Sequence, residues 1–74
     1  MSRRQDPPYR EIAGIVREKI ATGELLPGDQ VPSASELAET HGVSRGTALR
    51  ALGVLREDGL ITTTPGWGSF VAGR

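Results

Sequence analysis

At 74 residues the chain is long enough for one small domain, and a domain of this size buries only about 60% of the surface that its unfolded chain exposes, so its stability is expected to be modest. Nine basic side chains balance nine acidic ones, all but Lys19 of the basic set are arginine, there is no cysteine, and His41 is the single histidine. These counts exclude disulfides, thiolate metal sites and thiol nucleophiles, and one histidine by itself builds neither a catalytic triad nor a zinc site. No apolar run approaches the roughly 18 to 20 residues of a membrane span, and no charged-then-apolar leader starts at Met1, so the chain reads as a cytoplasmic protein without a membrane partner.

Neutral net charge argues neither for nor against a polyanionic partner, which makes the distribution of charge the informative quantity. Between Glu24 and His41 the charged residues are Glu24, Asp29, Glu36 and Glu39, all acidic; between Gly42 and Arg56 they are Arg45, Arg50 and Arg56, all basic. Arginine suits bidentate recognition of phosphate and guanine, although a GC-rich genome would enrich it equally.

Residues 1–6, with Arg3 and Arg4, are expected to form a mobile arm ahead of a domain spanning residues 7–72. Pro7 and Pro8 open a first helix, about Tyr9 to Thr22, in which Tyr9, Ile12, Val16 and Ile20 recur at the helical period and Gly23 is a left-handed terminator. Pro27-Gly28 between Leu26 and Asp29 favours a type II turn, after which Gln30-Val31-Pro32 is long enough only for an edge strand. Ser33-Ala34-Ser35-Glu36 has the capping-box pattern and starts a second helix that runs to about Thr40. A short turn, His41 to Ser44, leads to a third helix over Arg45 to Asp58, with Gly42 in the left-handed position and Ser44 as N-cap.

In that third helix Ala48, Ala51, Leu52 and Leu55 fall on one face, so Arg45, Gly46, Leu49, Arg50 and Gly53 lie toward the other. Gly59 ends the helix, and two β-prone runs, Leu60 to Thr63 and Ser69 to Val71, are joined by Thr64-Pro65-Gly66-Trp67-Gly68 as a hairpin. The fold expected from this order is mainly α with a small β-hairpin: a winged helix-turn-helix of three helices and a two-stranded wing, with a possible short third strand at Gln30 to Pro32. A helix following such a turn fits the DNA major groove, about 12 Å wide, and the hairpin reaches the neighbouring backbone or minor groove.

The segments PPYREIAGIVREKI, GELLPGDQVPS, ELAETHGVSRGTALRAL and GLITTTPGWGSFV, in that order, resemble the GntR-type bacterial transcription regulators over about Pro7 to Val71. The resemblance implies operator binding as a homodimer, with a separate C-terminal domain that senses a metabolite and supplies dimerisation. No such domain lies within these residues, so the chain is expected to be the N-terminal reading head of a longer regulator, a repressor by family habit.

Carried over by position, the resemblance makes Arg45 and Thr47 base or phosphate contacts, Ser33 a phosphate contact, and Gly66 and Gly68 the wing tip. Three positions depart from the family pattern: Ser35 and Leu49 stand where it usually has arginine, and Trp67 where it has a basic or polar residue. Arg50 would then replace the cation missing at Leu49. The DNA-contact set expected from the sequence is Ser33, Ser35, Ser44, Arg45, Gly46, Thr47, Leu49, Arg50, Gly66, Trp67 and Gly68.

Several of these residues have a plain structural alternative. Ser33 is first a cap, Thr47 can serve local amides, Arg50 and Arg56 can pair with surface acids such as Glu57, and Trp67 can pack beside Phe70. Gly46 and Gly53 each cost about 1 kcal/mol of helix stability relative to Ala. Either Gly46 lets the backbone approach DNA closely and leaves Leu49 to touch a thymine methyl, or both glycines are tolerated drift at exposed sites. No cofactor, metal or enzymatic activity is expected, since no acid-base pair or ligand cluster is evident. The alternative function is a winged-helix protein-interaction module, contacting its partner through the acidic stretch from Glu24 to His41.

Overall fold

A computed structural model describes residues 8–73 and places α1 at Pro8–Ala21, β1 at Gln30–Val31, α2 at Ala34–His41, α3 at Arg45–Glu57, β2 at Ile61–Thr64 and β3 at Gly68–Val71. The proposed arm, residues 1–6, and Pro7 lie outside the described residues. Element types follow the sequence reading, with ends displaced by about one residue; His41 closes α2, so the turn of the helix-turn-helix is only Gly42 to Ser44.

Each helix owes its boundaries to local chemistry. At the start of α2, Ser33 Oγ accepts the Glu36 amide at 3.1 Å and Glu36 Oε1 accepts the Ser33 amide at 2.9 Å, which is the expected capping box. Gly42, with φ 67°, turns the chain out of α2, and the amides of Gly42 and Val43 both return to the Ala38 carbonyl. A side chain on Gly42 would be strained in this left-handed conformation. At the far end of α3 the Leu60 amide bonds the Leu55 carbonyl and the Gly59 amide the Arg56 carbonyl, both at 3.0 Å, a Schellman termination that aims the chain into β2.

Ile12, Ala13 and Val16 of α1, Leu37 of α2 and the predicted set Ala48, Ala51, Leu52 and Leu55 of α3 form one buried cluster with Val31, Ile61 and Val71 of the sheet. No polar or charged side chain is buried among the described residues, so burial is apolar throughout. The alanines of α3 let α1 and α2 approach closely, while Arg17 of α1 reaches the carboxylate of Asp58 at 2.6 Å across the domain surface.

The sheet order is β1-β3-β2, fully antiparallel, with Val31 opposite Ser69 and Thr62 opposite Phe70. The short run after the type II turn is therefore a true third strand, paired with the second wing strand rather than the first. Reciprocal bonds of 2.9 Å, Gly28 amide to Val71 carbonyl and Val71 amide to Asp29 carbonyl, continue that pairing into the turn. This anchors the base of the wing to the segment that leads into α2.

Candidate nucleic-acid interface

The first turns of α2 and α3 meet at one corner of the domain, where Ser35, Ser44, Arg45 and Thr47 of the expected set are joined by hydrogen bonds. Ser44 Oγ accepts the Thr47 amide at 3.1 Å and donates to Thr47 Oγ1 at 3.0 Å, so both hydroxyls are engaged in capping α3. Arg45 crosses to α2, its Nε donating to Ser35 Oγ at 3.3 Å. That single bond joins two expected contact residues and leaves the two terminal amino groups of the guanidinium for a phosphate or a guanine edge.

One turn further along α3, Leu49 is 48% exposed; Ile15 and Leu26 are exposed too, at 42% and 56%, but Leu49 alone of the three stands on the outer face of α3. Gly46 and Gly53 flank it at i−3 and i+4, and neither is crowded: a Cβ on Gly46 would meet Ser44 Oγ at 3.8 Å, and one on Gly53 would meet Arg56 Nη2 at 3.9 Å. Packing inside the domain therefore does not demand either glycine.

Arg50 does not pair with an acid among the described residues; its guanidinium lies 4.9 Å from the centroid of the Tyr9 ring. This contact fixes the cation between α3 and the start of α1. Arg56 Nη1 instead donates to Thr63 Oγ1 at 3.3 Å, and Thr63 shares a 3.0 Å bond with Ser69, so Arg56 braces the wing against α3. Neither arginine pairs with Glu57, the surface alternative considered from sequence.

The wing tip is held by a device that the sequence reading missed. Gln30 of β1 donates through Nε2 to the Trp67 carbonyl at 3.1 Å, and Trp67 in turn donates its amide to the Thr64 carbonyl at 2.9 Å. Gly68 has φ 118°, a conformation that calls for glycine, and a Cβ there would lie 2.6 Å from Gln30 Nε2, so a side chain would also push the end of Gln30 aside. Trp67 itself is 74% exposed, which removes the packing alternative and presents its ring to solvent on a braced turn. Nothing in the spacing of Gln30 signals this role, because the pairing of β1 with β3 is a tertiary fact.

Ser33, Ser35, Ser44, Arg45, Gly46, Thr47, Leu49 and Arg50 thus share the helix-turn-helix corner and the outer face of α3, whereas Gly66, Trp67 and Gly68 occupy the separate wing tip. From Gly59 to Gly73 no residue is charged, so among the described residues the wing adds no cation to those of α3. Among the described residues there is no group of His, Cys, Asp or Glu arranged to hold a metal ion, and no helix is long and apolar enough to cross a membrane.

Residues 8–71 match the family described as bacterial regulatory proteins, gntR family. The mannosyl-D-glycerate transport/metabolism system repressor MngR of Escherichia coli (strain K12) is 46% identical over 65 residues, which are 88% of this chain and 27% of MngR. The histidine utilization repressor of Klebsiella aerogenes is 41% identical over 66 residues, again 27% of that protein's length. Among solved structures, the DNA-binding domain of AraR in complex with operator ORR3 superimposes with a TM-score of 0.90 at 35% identity, covering 97% of this chain and 87% of that one. The chain therefore spans about a quarter of the length of such repressors and nearly all of a domain crystallised on its operator.

Proposed function

Since the chain belongs to the gntR family of bacterial regulatory proteins, we propose that it reads operator DNA for a transcriptional regulator, and that the regulator is a repressor as MngR and the histidine utilization repressor are named. The observation that carries this reading is the match, at a TM-score of 0.90, to a domain solved in complex with its operator. The mechanism is docking without chemistry. Helix α3 enters the major groove; Arg45 and Leu49 meet base edges, while Arg50, the capped start of α2 at Ser33 and Ser35, and the wing set position on the backbone.

Ser44 and Thr47 act first through each other: their mutual hydrogen bonds fix the first turn of α3 and so the direction of Arg45. Gly46 lets the helix backbone approach the groove wall, and Gly66, Trp67 and Gly68 place the wing tip on the adjacent minor groove. The regulator works as a homodimer through a domain C-terminal to these residues, with two heads on half-sites about 10 bp apart or a multiple of that. It acts in the cytoplasm, where its DNA is.

An amide-shift titration with duplex DNA at two salt concentrations tests the reading. Shifts are expected at Ser33 to Glu36, Gly42 to Arg50 and Thr64 to Gly68, weakening steeply as salt rises. A silent α3, with shifts confined to the acidic stretch before it, would replace DNA reading with a protein partner.

A further inference from the structure

We propose that Leu49 makes this head a reader of the 5-methyl group of pyrimidines, thymine or cytosine methylated at C5; the inference rests on the DNA-reading assignment above and specifies what its central contact recognises. The polar side chains on the leading face of α3 are oriented by intramolecular contacts: Arg45 bonds Ser35 through Nε, Thr47 bonds Ser44, and Arg50 lies over the Tyr9 ring. Leu49 lies between them, 48% exposed, outside the apolar core and flanked along the helix by Gly46 and Gly53. With no side chain at either glycine, its isobutyl group is open to solvent along the helix on both sides.

An aliphatic side chain offers no donor or acceptor, so in the major groove it can gain only from apolar surface. Base edges there present a single apolar group, the methyl at C5 of thymine, and C5-methylation gives cytosine the same group at the same place. The free domain leaves Leu49 in water, and contact with that methyl would recover part of what exposure costs. Polar bases opposite Leu49 would instead lose their groove water without a partner, which turns one apolar residue into discrimination.

The test begins with duplexes enriched from a random-sequence pool on the full chain, remade with deoxyuridine in place of each thymidine in turn, and with 5-methylcytosine against cytosine at any sensitive position. Removing the methyl is expected to weaken binding about fourfold at a thymine in each half-site, the worth of one buried methyl-sized group, and restoring it on cytosine to strengthen binding by a similar factor. In Leu49→Ala both differences shrink toward unity while thermal unfolding is unchanged, because Leu49 is not a core residue.

If no position responds to loss of the methyl, or if Leu49→Ala responds as strongly as the native chain, the inference is overturned although DNA binding stands. A response to uracil without one to methylcytosine restricts the ligand to thymine and overturns the cytosine source. Failure to enrich any duplex would overturn the DNA-reading assignment itself, and this inference with it.

Discussion

Arg45 places a cation at the positive end of the α3 dipole, an unfavourable position unless something else compensates. Its bond to Ser35 supplies part of that compensation and also fixes the direction of the guanidinium, so the residue is positioned before any ligand arrives. Arg45→Ala is expected to lower operator affinity by about 1 to 3 kcal/mol, with a smaller loss on random DNA, as measured by anisotropy on both duplexes. Equal losses would assign the side chain to phosphate. Gly46→Ala should stabilise the domain by about 1 kcal/mol, because the added methyl meets nothing closer than an ordinary contact. Close approach to DNA predicts that the same variant binds its operator less well; unchanged binding would make the glycine neutral drift.

At the scale of elements, α2 is too short to persist without its neighbours: eight residues fall below the roughly 12 to 15 needed for a marginal helix in water. The capping box and the apolar side chains of Ala34 and Leu37 hold it, and Ser33→Ala is expected to destabilise the domain by about 0.5 to 2 kcal/mol in chemical denaturation. The wing depends on β1 in a comparable way. Gly68→Ala strains a positive φ and pushes the end of Gln30 off the Trp67 carbonyl, so it should loosen the wing tip and weaken DNA binding while the helices keep their circular dichroism. Trp67 is the lone tryptophan, so its emission reports this tip directly. Emission should change on saturation with duplex DNA; unchanged emission from DNA-bound protein would place the wing off the groove.

For the whole molecule, the arrangement of charge limits how binding can respond to salt. The surface assigned to DNA has Arg45 and Arg50, with Arg56 engaged beside the wing, and Gly59 to Gly73 adds no cation. Counterion release at about 0.9 per phosphate neutralised then gives one head a slope of roughly −2 to −3 in log K against log salt. A markedly steeper slope would bring in cations beyond this set. So few contacts also mean weak binding by a single head. Joining two heads at the right spacing should raise affinity by about 10²- to 10⁴-fold without any new contact, which a fused dimerisation segment would test.

Much of this architecture was legible in the chain because its signals are local. A capping box, a left-handed glycine, an apolar repeat on α3 and a β-prone pair around a glycine turn each depend on residues a few positions apart, and such short-range chemistry also carried the resemblance to the gntR family. What the residues alone determined was therefore the order of elements, the buried face of each helix and the outward stripe of α3. Only the tertiary structure decided which distant groups meet. It set Arg45 on Ser35, Arg50 on the Tyr9 ring, β1 against β3 and Gln30 beneath the wing tip. It also took Trp67 out of the core, since a ring on a braced turn at the end of a hairpin has nothing of its own domain to cover it. Partners separated by tens of residues leave no periodicity in the chain; they are chosen when the apolar faces of three helices and a sheet close on one another and bring the remaining polar groups into reach.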